Sequence, residues 1–102
     1  MKHEWTVEQD IATYRMRVRG IPDDYNWETD VLEALIGRSK IAEIWDQLTA
    51  GQQAEVRRTD DALLQQHERV AEMLPSPAPH DRSHWWWFLH EGPQVREEAQ
   101  AA

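Results

Sequence analysis

Histidines and carboxylates near the carboxyl end of the chain have the side-chain types that bind metal ions: His80, Asp81, His84, His90 and Glu91. His80 and His84 are four residues apart, a spacing at which two imidazoles on one helix face can share an ion. Pro79, however, places His80 at or before the start of any helix. A third ligand is also badly placed, since His90 points elsewhere and Glu91 lies about two turns away. The sequence therefore predicts no metal centre, with His80, His84 and Glu91 as the only candidates.

Catalytic chemistry has no comparable support in the sequence. Ser39, Ser76 and Ser83 lie in a cap, a linker and a loop, without a nucleophile elbow or a phosphate-binding glycine loop. The carboxylate pairs Asp23-Asp24 and Asp60-Asp61 are adjacent in sequence, and adjacent residues on a helix diverge. We therefore expect a protein that is not an enzyme and that uses no cofactor.

A run of aromatic residues after the last proline is the most unusual feature of the chain. Three of the six tryptophans and the only phenylalanine fall within it. Left in water, these rings would be an aggregation hazard, so they must be buried. Two destinations are open, a groove between helices of the same chain or the surface of a partner. The partner-binding candidates are Trp85, Trp86, Trp87, Phe88 and Leu89.

Composition narrows the classes of partner. The 102 residues carry a formal net charge of −8, which disfavours nucleic acid and anionic membranes and favours a basic protein. There is no cysteine, so disulfides are excluded. No apolar run approaches ~18 residues, and the amino-terminal residues lack the apolar core of a signal peptide. We expect a cytoplasmic protein, with a homodimer as one possible assembly.

Hydrophobic periodicity predicts the first helix from Thr6 to Arg19. Thr6 and Gln9 have the types and spacing of a capping box at its start. Gly20 is expected to end the helix in the left-handed conformation, with Ile21 packing back on Met16.

The next stretch predicts a helix over residues 27–36, ended by Gly37, and a short helix over 40–48 capped by Ser39. This pattern is typical of a helix-turn-helix, and a DNA-contacting regulator is one functional alternative. Its second helix, however, carries acidic residues on its outer side, so a corner used only for packing is the better interpretation.

Thr49 and Gln52 predict a second capping box, which opens a long helix over residues 50–74. Asp60 and His67 fall inside its apolar stripe, and we expect both to reach solvent or a backbone partner at the edge of the stripe. Arg57 is placed to pair with Asp61, and Arg69 with Glu72.

The expected fold is all-α, a small bundle of about four helices, the last one long. Its parts are an acidic helical domain (1–74), a Pro-rich spacer (75–80), an aromatic segment (81–91), expected to be a short helix capped by Asp81, and a flexible polar tail (92–102). This plan is similar to small bacterial antitoxins and other inhibitors that neutralise a basic protein, although no residue motif accompanies the likeness. The resemblance implies a non-enzymatic protein-interaction module. The alternative is a metal- or ligand-binding domain using the His80–Glu91 cluster.

Overall fold

The computed structural model describes residues 6–21, 28–73 and 80–101, and within them every regular element is a helix. In chain order these are α1 (Val7–Gly20), α2 (Glu28–Glu43), a first 3₁₀ helix (Trp45–Gln47), α3 (Ala50–Gln65), α4 (His67–Met73), a second 3₁₀ helix (Trp85–Glu91) and α5 (Val95–Ala101). The all-α prediction is confirmed. Most of the expected Pro-rich spacer, residues 75–79, lies outside the described residues.

Both capping boxes form as predicted. At the start of α1 the Gln9 amide donates to Thr6 Oγ1 at 3.2 Å, and the Thr6 amide donates to Gln9 Oε1 at 2.8 Å. Thr49 and Gln52 repeat the arrangement at the start of α3, at 2.9 and 3.1 Å. Each box satisfies two backbone donors that a helix start otherwise leaves without partners.

The carboxyl end of α1 differs from the prediction. Gly20 is the last residue of α1, and Ile21 follows in the right-handed helical region at φ −54° and ψ −41°. Ile21 is buried in the core, whereas Met16 is 64% exposed on the opposite side of α1. The expected packing of Ile21 on Met16 is therefore wrong, because burial in the core removes more apolar surface from water than a contact at the helix end.

Helix α2 runs without interruption through Gly37 to Glu43, so the predicted turn and the separate helix over 40–48 are wrong. The buried residues Val31, Ala34 and Ile41 stay on one face across the glycine. Their burial outweighs the ~1 kcal/mol that a glycine costs inside a helix. With no turn at Gly37, both the helix-turn-helix and the packing-corner interpretations lose their geometry.

The predicted long helix over 50–74 is also divided. Gln66 leaves the helical region at φ −104° and ψ 17°, and α4 begins at the next residue. His67 then meets the expectation of a backbone partner, since its Nδ1 lies 2.9 Å from the Leu64 carbonyl oxygen. Asp60 does not reach solvent as expected, because it is 2% exposed.

The core is built from α1 against α2 and α3, extended by the second 3₁₀ helix, which packs against α4 and α5. A short helix in the aromatic segment was expected, and it takes the 3₁₀ form with an interruption at Phe88. Asp81 does not cap it, and instead accepts the Ser83 amide at 2.8 Å in the preceding turn. Gly92, at φ 114°, ends this helix in a conformation that side chains disfavour.

The last segment, expected to be a flexible tail, forms α5 and buries Val95. The buried apolar side chains of the core are Ile11, Tyr14, Val18, Ile21, Val31, Ala34, Leu35, Ile41, Leu48, Val56, Leu63, Val70, Trp85, Trp86, Trp87, Leu89 and Val95. The aromatic residues 85–87 are far from α1 in the sequence, yet they belong to the same core as the buried residues of α1.

Candidate functional site

A buried ion pair between α2 and α3 also receives a hydrogen bond from α1. Arg38 Nε of α2 donates to Asp60 Oδ1 of α3 at 2.8 Å, and Arg38 Nη2 donates to Oδ2 at 3.1 Å. The Tyr14 hydroxyl of α1 donates to the same Oδ1 at 2.6 Å. Arg38 is 6% exposed and Tyr14 is 1% exposed. Tyr14 and Asp60 reach each other because both lie on the core-facing stripes of their helices.

Burial shapes the protonation of this group. Loss of hydration raises the pKa of Asp60, while the charge of Arg38 and the hydrogen bonds from Arg38 and Tyr14 act in the opposite direction. Burial also raises the pKa of Tyr14 well above its usual value, and the neighbouring Asp60 adds to this. The Tyr14 hydroxyl therefore keeps its proton and serves as a hydrogen-bond donor.

Around Arg38, arginine and tryptophan side chains alternate along one wall of an open cleft. The Arg38 guanidinium lies 5.2 Å from the centre of the Trp45 ring and 4.4 Å from that of Trp86. Arg57 lies 5.5 Å from the centre of the same Trp45 ring. Such cation–π contacts are worth about 0.5–1 kcal/mol when exposed and about 2 kcal/mol when desolvated.

The series continues on the other side of Trp86. Trp85 meets Trp86 edge to face, with ring centres 5.5 Å apart and planes at 84°. The Arg96 guanidinium of α5 then lies 5.8 Å from the centre of the Trp85 ring. We call the resulting feature, of about 680 Å³, the arginine–tryptophan cleft; the residues that define it are Arg38, Trp45, Arg57, Trp85, Trp86 and Arg96.

Ser39 of α2 fixes two of the indoles. Its hydroxyl oxygen accepts hydrogen bonds from Trp86 Nε1 and from Trp87 Nε1, both at 2.9 Å. A hydroxyl has two acceptor lone pairs, so one serine can satisfy both donors. Ser39 was expected to cap a short helix; it lies instead inside α2 and connects that helix to the aromatic segment.

Charges in the cleft are unevenly compensated. Asp60 compensates Arg38, and Asp61 lies 2.8 Å from Arg96, replacing the predicted Arg57–Asp61 pair. No carboxylate among the described residues lies within ion-pair distance of Arg57, which is exposed at the rim. The Arg38 Nη1 atom is buried and has no hydrogen-bond partner in the described part of the chain.

Outside the cleft, the predicted Arg69–Glu72 pair does form, at 3.7 Å.

The metal candidates are not brought together. His80 stacks on Trp87 at 4.0 Å between ring centres, and His84 stacks on Trp86 at 4.7 Å. Glu91 instead receives two hydrogen bonds from Arg82, at 2.7 and 3.0 Å. The hydrogen bonds and charge of Arg82 lower the pKa of Glu91. Across residues 6–21, 28–73 and 80–101, no three histidines or carboxylates converge as metal ligands would.

The candidate partner-binding residues lie mostly inside the protein. Trp85, Trp86, Trp87 and Leu89 are buried, and Phe88 is half-buried beneath the Arg82 guanidinium, 4.4 Å from its ring centre. Of the two destinations that the sequence left open, this conformation places the segment against its own helices. A partner could contact the four buried side chains only after the segment had left the core.

Comparison of the chain with protein-family models, with curated proteins and with solved structures gives no match. Among the described helices, none combines the length and the apolar character needed to cross a bilayer.

The sequence did not predict that three residues, Tyr14, Arg38 and Asp60, form a group. The available signal was the position of Asp60 within an apolar stripe, which called for a buried cationic partner.

Proposed function

We propose that this protein is a non-enzymatic interaction module of the cytoplasm that binds a basic protein, in the manner of an antitoxin or inhibitor. The observation that carries the proposal is an exposed apolar pair on α2. Leu32 and Ile36 are 37% and 41% exposed and lie one helical turn apart. Exposed Lys40 and Glu43 follow on the same face of the helix. An apolar centre on a chain with a net charge of −8 is suited to a partner that offers an apolar patch within a positive surface.

Charge supports the choice of a basic partner. The chain has a net charge of −8, and acidic side chains are exposed on several elements: Glu43, Asp46, Glu68, Glu97 and Glu98. Such a field accelerates association with a positively charged protein and repels a second copy of the same chain. We therefore favour a heteromeric complex over the homodimer.

In the proposal, the aromatic segment packs on α2 next to this face. Trp86 and Trp87 hold Ser39, which lies beside Ile36 on the surface of α2. Residues 85–89 thereby contribute to binding by fixing α2, and Phe88 is the member of the group with a partly exposed ring.

The test is affinity capture from the source cells followed by reconstitution from purified components. Wild type is compared with Leu32→Ser/Ile36→Ser, and Met16→Ser serves as the control because Met16 is exposed on α1. We expect one basic protein to be captured by wild type and by Met16→Ser, and lost with the double variant. The purified complex should weaken as salt rises. An acidic partner, or equal capture by all three proteins, would contradict the proposal, and light scattering that shows a dimer would replace it with self-association.

A further inference from the structure

The arginine–tryptophan cleft has no role in the proposed function, since the proposed partner face uses other residues of α2. Among the described residues, its lining includes three arginines and two aspartates, Asp60 and Asp61, and no glutamate. This leaves one surplus positive charge in a cleft of a chain whose net charge is −8. A positive cleft on an acidic protein concentrates anions locally, because a concave site with apolar walls focuses the field.

Two donors in the cleft are not used by the protein. Arg57 is exposed at the rim and lies over Trp45 without a carboxylate partner in the described part of the chain. Deeper in the cleft, the Arg38 side chain is more than nine-tenths buried and its Nη1 has no acceptor among the described residues. A buried donor without an acceptor is destabilising, because no hydrogen bond replaces the lost hydration. An oxygen atom supplied by a ligand would remove that cost.

We propose that the arginine–tryptophan cleft binds a small organic anion through its phosphate or carboxylate group. Arg57 makes the first contact at the rim, and Arg96 adds charge from α5. The planar guanidinium group suits both kinds of oxyanion because it presents paired donors. The volume of about 680 Å³ is within the range of small-molecule sites and is large enough for a nucleoside monophosphate.

Access to Arg38 requires one local movement. The Nη1 atom is covered, and the half-buried Trp45 ring lies over the guanidinium. Trp45 belongs to a 3₁₀ helix of only three residues, so its ring can shift without disturbing a long helix. The Trp45 indole should therefore respond most strongly when an anion enters.

The experiment is an NMR titration of the full chain with inorganic phosphate, AMP and citrate, with uncharged adenosine in parallel. Indole N–H signals of the tryptophans and the Nε–H signal of Arg57 report binding. We expect a saturable shift of the Trp45 signal with at least one of the three anions and none with adenosine. A response to citrate alone would identify a carboxylate as the bound group. A response to inorganic phosphate or AMP alone would identify a phosphate.

Variants test whether the cleft carries the effect. Arg57→Gln should weaken anion binding about tenfold, because it removes one charge-assisted contact. Arg58→Gln is the matched control, since Arg58 is the next residue of α3, is exposed and does not line the cleft. Arg96→Gln should also weaken binding. No saturable shift at low-millimolar anion, or the same affinity in wild type and Arg57→Gln, overturns the proposal. None of these three variants alters Leu32 or Ile36, so failure here leaves the proposed partner face intact.

Discussion

Replacing Arg38 by methionine should convert the central ion pair into a pH-dependent defect. The variant leaves the Asp60 carboxylate buried, with the Tyr14 hydroxyl as its remaining hydrogen-bond donor among the described residues. Removing one member of a buried pair costs about 3–5 kcal/mol at neutral pH, because the remaining charge is uncompensated. A domain of this size is stable by about 5–15 kcal/mol, so a large share of its stability would be lost.

The pH dependence of the loss has a definite sign. Arg38 is among the groups that lower the pKa of Asp60, against burial, which raises it. Without Arg38 the folded-state pKa of Asp60 rises further above the unfolded value of 3.8. A raised carboxyl pKa contributes stability below the unfolded pKa, and this contribution is lost as the pH rises through the folded pKa. The deficit of the variant should therefore grow from pH 4 towards pH 7, by at most about 1.4 kcal/mol per pH unit.

Urea denaturation followed by circular dichroism measures this effect at several pH values. With a slope of about 2 kcal/mol/M, the expected loss lowers the midpoint by roughly 2 M at pH 7. The control is Arg38→Met/Asp60→Asn, which removes the titrating group. Contacts of Arg38 with Trp45 and Trp86 are lost equally in both variants. A deficit of Arg38→Met below about 1 kcal/mol at pH 7, or one that does not vary with pH, would refute the reasoning.

Three further substitutions have expected outcomes that the same denaturation assay can check. Gly37→Ala should stabilise the protein by about 0.5–1 kcal/mol, because the helix gains propensity and the added methyl meets no atom within 4 Å; a loss would show that α2 bends there. Ser39→Ala leaves the buried indole N–H groups of Trp86 and Trp87 without their acceptor and should cost about 1–3 kcal/mol; Ser39→Thr, which keeps the hydroxyl, is its comparison. Trp86→Ala should lower the free energy of unfolding by about 3–5 kcal/mol. Phe88→Ala, at a half-buried site, should lower it clearly less. Equally small losses for both variants would show that the aromatic segment lies on the surface.

Local signals in the sequence were read correctly where the structure depends on neighbouring residues. The capping boxes at Thr6 and Thr49 need only residues three positions away, so spacing alone predicted them. The prediction that Gly37 ends a helix was wrong, because the residues on both sides of Gly37 are buried in the core and their burial stabilises a continuous helix.

The arginine–tryptophan cleft could not be predicted from hydrophobic periodicity, for a similar reason. Arg38 and Asp60 are 22 residues apart, and the contact between them depends on how α2 and α3 cross. The aromatic segment was correctly recognised as needing burial, but Ser39, its hydrogen-bond partner, is 47 positions from Trp86. A hydrogen bond at that separation leaves no local pattern in the sequence.

The edge-to-face contact between Trp85 and Trp86 also has an optical consequence. Two indoles at 5.5 Å with nearly perpendicular planes are close enough for their electronic transitions to couple. We expect this coupling to give a paired positive and negative band in circular dichroism. The band reports on the aromatic segment, whereas the peptide signal of α1, α2 and α3 reports on the bundle. One spectrum recorded during unfolding thus contains two independent probes, and their coincidence or separation tests whether the aromatic segment and the bundle unfold as one cooperative unit.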